Sequence, residues 1–166
     1  MTRMQFGVGV VLIMLMGLAG CQTVPSGLEV QGPEILRVTA TGDQIYVWRE
    51  AQKMWMFKAP EARFSGAGVT GRHYAGPTWE ADDGSLVLAH KVNEKPSPDA
   101  NSIPWLLLKA VDHLGRGILS QVTFIQRLNT KGGVAPTAPG TKDGQEARVH
   151  YTAVYIFYGP GAAGGK

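Results

Sequence analysis

The densest concentration of reactive side chains in this chain is His73-Tyr74-Ala75-Gly76-Pro77-Thr78-Trp79-Glu80. Gly76-Pro77 is turn chemistry, because Gly accepts unusual backbone angles and Pro fixes its own. The flanking pieces can therefore pair antiparallel and bring His73 towards Glu80, with Trp79 at the rim of any pocket. An imidazole within reach of a carboxylate could serve as general acid and base, or supply half of a metal site. The same pair could equally be hydrogen-bonded beneath the Trp79 ring and do no more than fix the hairpin. The candidate ligand site is thus His73, Tyr74, Trp79 and Glu80, with His150 joining only if the fold carries the last strand across. His90, His113 and His150 show neither HxH nor HExxH spacing, so the sequence predicts no metal site and no cofactor. His113 precedes Gly115 in an expected turn and should be solvated. There is no GxSxG elbow and no phosphate loop.

Aromatic side chains are the second candidate feature. Exposed in a cleft, Trp48, Trp55, Trp79, Trp105, Tyr74, Tyr151 and Tyr155 would line an apolar ligand pocket. Buried, they are core, and period-two spacing assigns Trp55, Trp105 and Phe124 to the core. Gln126 and Arg127 lie inside an apolar run, where a charge needs a partner. Glu80 or Asp82 could supply it.

The elements that must position these groups read as short strands separated by Gly, Pro, Asn and Asp. Strands are expected at 35–39, 44–49, 54–58, 72–75, 78–81, 86–92, 105–110, 118–129 and 147–158. Thr41-Gly42-Asp43 is expected to be a turn, and Asp82-Asp83-Gly84-Ser85 a hairpin connection. The stretch 103–113 fits either a Pro-started helix or a strand buried on both faces, with strand preferred. About nine or ten strands in one domain imply an all-β fold, an antiparallel sandwich or a partly closed barrel.

Before this domain, Arg3 is followed by an uncharged apolar run to Leu18 and then Ala19-Gly20-Cys21. That is the order of a signal peptide, and the run is shorter than the roughly 20 residues a spanning helix needs. Leu-Ala-Gly-Cys resembles a bacterial lipobox, which implies cleavage after residue 20 and lipid on the Cys21 sulfur. Gln22 in place of an aspartate implies, by resemblance to Gram-negative sorting, the outer membrane facing the periplasm. Cys21 is the only cysteine, so no internal disulfide can form. The expected organisation is a signal peptide at 1–20, a flexible tether at 21–34, one β domain at 35–158 and a disordered tail at 159–166. The formal charge of +3 is spread along the chain. Scattered cations of this kind argue against a nucleic-acid partner.

The segments GDQIYVW, GRHYAGPTWEADDGS, IPWLLLKA, VTFIQRLNTKGGVAP and YTAVYIFY together resemble the secreted proteins grouped as domain of unknown function 3455. The resemblance supplies no activity, cofactor or catalytic residue. It does imply a disulfide in relatives, at positions where this chain has Val47-Trp48 and Gly140-Thr141, so the long loop near 140 should be freer here. The expected function is a lipid-anchored, non-enzymatic envelope module that binds a small ligand or a partner protein. The alternative is an enzyme working through His73 and Glu80.

Overall fold

The computed structural model describes residues 24–161. Eight strands follow one another around a closed antiparallel barrel: β1 (Glu34–Arg49), β2 (Met54–Gly66), β3 (Val69–Tyr74), β4 (Thr78–Ala81), β5 (Leu86–Lys95), β6 (Trp105–Leu114), β7 (Phe124–Gly132) and β8 (Glu146–Tyr158). β8 pairs back onto β1 and closes the ring, giving the all-β antiparallel fold in its barrel form. Inward-facing Val38, Phe64, Trp79, Val87, Ile125, Tyr155 and Phe157 form the core, as the two-residue period of a strand requires.

The strand count is eight because Thr41-Gly42-Asp43 is not a turn. It runs through the middle of β1, where Gly42 pairs with Ala62 on one side and Tyr151 on the other. A Cβ at Gly42 would stand 2.2 Å from the Glu61 carbonyl oxygen and 2.4 Å from Ala62 Cα. Gly42 therefore marks a close approach of two backbones. The stretch 103–113 is strand, as preferred. The strand expected at 118–129 begins only at Phe124, because the preceding segment folds beneath the barrel and buries Leu119 and Val122. His113 is likewise not solvated in a turn: it lies in β6, half-buried, with Nε2 2.8 Å from the Val122 carbonyl.

On the outside of β6, β7 and β8, Trp105, Leu107, Leu128 and Ile156 form a second apolar cluster, covered by the chain before β1. Leu28 of that stretch has no exposed surface, and Gln126 Nε2 donates to its carbonyl. Burying a side chain of that size contributes roughly 1.5–3 kcal/mol. From Val24 onward, the segment expected as a flexible tether is thus a strap laid on the barrel wall. Of the three expected core aromatics, only Trp105 is fully buried, and on this outer face. Phe124 and Trp55 are half-buried. The β1–β2 hairpin extends past the ring, so Trp55 packs edge-on to Trp48 with ring centres 5.5 Å apart and donates to the Ala138 carbonyl.

The loop between β7 and β8 is held down. Gly144 N–H donates to the Trp48 carbonyl at 3.0 Å, and Glu50 N–H donates to Asp143. Gly140 lies against the Trp48 ring so closely that a Cβ there would be 2.4 Å from Trp48 Cγ. The two sites at which the resemblance implies a disulfide are therefore in contact. Packing of Trp48 on Gly140 restrains a loop that was expected to be freer.

Candidate functional site

The connections after β2, β4 and β6 lie at the lower end of the barrel, and those after β1, β3, β5 and β7 at the upper end. The wall is uneven there. β3 and β4 are short, and β2 pairs with β3 only from Ala62↔His73 downward. Above the β3–β4 turn the wall has a notch, and behind it is a cavity of about 560 Å³. That volume suits a small organic ligand. Its sides carry Tyr46, Phe57, Ile103 and Leu106, and its floor His73, Trp79, Tyr155 and Arg127.

His73 and Trp79 face each other across the hairpin, which turns at a cis Gly76–Pro77 bond. Their rings stack 4.2 Å apart at 11°, and Tyr155 meets both edge-on. His73 is 3% exposed. Its Nδ1 lies 2.9 Å from the Thr78 carbonyl. A carbonyl can only accept, so Nδ1 carries the proton and Nε2 is left as an acceptor. Burial lowers the His73 pKa to about 3, with the nearby Arg127 charge acting in the same sense and the Thr78 bond opposing. The ring is neutral at any ordinary pH. Burial also raises the Tyr151 and Tyr155 hydroxyls above their usual range.

Glu80 is not beside His73. It pairs across the hairpin with Arg72 and faces outward, accepting from Arg72 Nη2 at 2.8 Å and from the Tyr74 hydroxyl at 2.9 Å. Tyr74 and Glu80 line a polar outer groove that touches the cavity only at His73. His150 is on the outer face of β8, with Nδ1 3.6 Å from Asp43. The five expected site residues thus separate, and only His73 and Trp79 reach the cavity. Trp79 is the floor of the pocket rather than its rim, with 1% of its surface exposed. Cys21 and the segment expected to be a signal peptide lie outside the described residues.

Arg127 and Gln44 are the site residues that sequence reasoning missed. The signal for Arg127 was a charge inside an apolar run, assigned there to a strand-pinning pair with Glu80 or Asp82. Its Nε and Nη2 instead donate to the Pro104 carbonyl, at 3.1 and 2.8 Å. Gln44 gave no signal beyond one polar residue in a strand. Among the described residues no three His, Cys, Asp or Glu side chains come together as a metal site would require.

Fold and cavity define a class: an up-and-down eight-stranded barrel with an aromatic pocket open at one end. The chain belongs to the family described as "Protein of unknown function (DUF3455)", which it matches over residues 63–159, more than half of its length. His73, Trp79, Arg127 and Tyr155 fall inside that match, whereas Gln44 and Tyr46 precede it. No curated protein and no solved structure matches the chain.

Proposed function

We propose that the domain binds a small, largely apolar molecule in the barrel cavity and performs no chemistry on it. The observation that carries this reading is the cavity itself, a space of about 560 Å³ walled mainly by aromatic and aliphatic side chains. The enzyme alternative loses support from His73. A general base works best with a pKa near the operating pH, and a buried imidazole at about 3 with no carboxylate partner is far from that. Binding is tested with N-phenyl-1-naphthylamine, a neutral probe that fluoresces in apolar surroundings. The native protein is expected to enhance its emission saturably, and Leu106→Trp, which fills the cavity, to abolish the effect. Absence of saturable binding to the native protein would overturn the reading.

The anchor is the other half of the proposal. Lipid on Cys21, read from Leu-Ala-Gly-Cys, would hold the barrel at the outer membrane facing the periplasm. Two or more acyl chains make such attachment stable where one alone is marginal. Cys21→Ser is expected to remove the lipid and move the processed protein into the soluble fraction. Retention of a processed Cys21→Ser protein in carbonate-washed membranes would require a different anchor.

A further inference from the structure

We propose that the ligand carries a single acid group, a carboxylate on an apolar body, and that Arg127 receives it. This rests on the cavity being a binding site and names the chemistry of what enters.

Arg127 stands on β7 with its side chain directed inward, half-buried, at the cavity floor. Among the described residues no carboxylate lies within 4.0 Å of its guanidinium. Its protein partner is the Pro104 carbonyl, shared by Nε and Nη2. That contact holds the fork in place and leaves its charge unneutralised. The two other cations on the cavity wall are already matched, Lys58 by Glu146 and Lys91 by Glu94. A guanidinium withdrawn from bulk water without a counter-ion costs stability unless an anion completes it.

Two side chains of the cavity lining, Gln44 and Trp79, also carry buried N–H groups, at Nε2 and Nε1, that make no hydrogen bond among the described residues. Buried donors in native proteins are nearly always paired. An unneutralised guanidinium, with two unpaired N–H groups on other side chains of the same apolar cavity, describes a site for a group that is anionic and only accepts, and a carboxylate meets that description. The fork geometry of Arg suits a carboxylate better than a point charge would. The surrounding rings then take the apolar body.

The experiment displaces N-phenyl-1-naphthylamine from the native protein with two matched pairs: dodecanoate against dodecan-1-ol, and 4-phenylbutyrate against 4-phenylbutan-1-ol. Within each pair only the head group differs, and comparison between pairs separates a lipid-derived acid from an aromatic one. At least one acid is expected to bind roughly tenfold or more tighter than its alcohol, the advantage of a charged hydrogen-bonded contact. Arg127→Gln should erase that preference, bringing the acid and alcohol of each pair to within about twofold of one another, and Arg127→Lys should restore only part of it. Equal affinity for acid and alcohol in both pairs overturns the acid assignment and leaves cavity binding intact. An acid preference that survives Arg127→Gln moves recognition to the rim lysines and also overturns the proposal. If Arg127→Gln does not fold, the native pairs and Arg127→Lys decide alone. Failure of every compound, together with failure of the probe to bind, removes the ligand-binding reading itself.

Discussion

Trp79→Ala should lower the stability of the folded chain by roughly 3–5 kcal/mol, as large-to-small core substitutions of this kind do. Trp79 is almost completely buried at the middle of the barrel, stacked on His73 and edge-on to Tyr155 and Phe157 at 5.3 and 6.1 Å. Aromatic contacts of this type add about 0.5–1.5 kcal/mol each beyond area burial. Relaxation cannot recover much of the loss, because the space left by the indole would merge with the existing cavity. The loss is large against the roughly 5–15 kcal/mol that holds a typical domain together. Trp79→Phe separates the contributions. It keeps a ring against His73 and deletes an indole N–H that has no acceptor among the described residues. A buried donor without a partner costs about 1–3 kcal/mol, which offsets part of the lost volume. The Phe variant should therefore retain more than half of what the Ala variant loses. Urea melts of the three proteins check both statements, and an Ala variant within 1 kcal/mol of native would remove Trp79 from the centre of the core.

The hairpin at Gly76-Pro77, the strand nature of β6 and the all-β class were legible in the sequence because each rests on short-range signals: turn residues and alternation. What failed was geometry that local patterns do not encode. Gly42 looks like a turn residue in a string of letters, yet it is a strand residue whose missing Cβ admits Ala62 and the Glu61 carbonyl. The lower half of β2, beyond the strand expected at 54–58, went unread, and Pro60 lies just past that limit. Pro60 stands above the last β2–β3 pair, so no ladder bond to β3 is required of it. The site failed by one residue of register. With Tyr74 opposite Thr78, His73 must oppose Trp79 and Arg72 must oppose Glu80. A shift of one position moves a side chain to the other face of a sheet, so the expected His73–Glu80 pair is divided by the barrel wall. Arg127 was visible as an anomaly, but its partner comes from the Pro-rich connection between β5 and β6, and only the fold brings Pro104 to β7.

Acidification should weaken the native chain through His73, and His73→Phe should remove that dependence. In the unfolded chain the imidazole titrates at its ordinary value of 6.5, whereas in the barrel it stays neutral down to about 3. Between those values the unfolded state binds one proton more than the folded state. Stability therefore falls as pH falls, by about 1.4 kcal/mol per pH unit. The contribution is fully present above pH 6.5 and exhausted below about 3, on the order of 4–5 kcal/mol across the window. His73 is buried enough that solvent screening does not shrink it greatly. The neighbours do not reverse the sign, since the Arg127 charge further disfavours a protonated imidazole. The raised tyrosine hydroxyls stay neutral. Carboxylates held low by their own partners, such as Glu80 with Arg72 and Asp83 with Ser85, also destabilise on acidification, but they act in the lower part of the range. The comparison is therefore cleanest between pH 6.5 and 5. There the native protein should lose roughly 1.5–2 kcal/mol that His73→Phe does not lose, measured by urea melts at each pH. The Phe ring can keep the stack on Trp79, so the variant is expected to fold. A nitrogen-15 spectrum should show the Nδ1–H tautomer unchanged through pH 5. Parallel stability profiles for the two proteins would place a titrating, solvated imidazole at position 73, and the neutral floor of the cavity would then have to be given up.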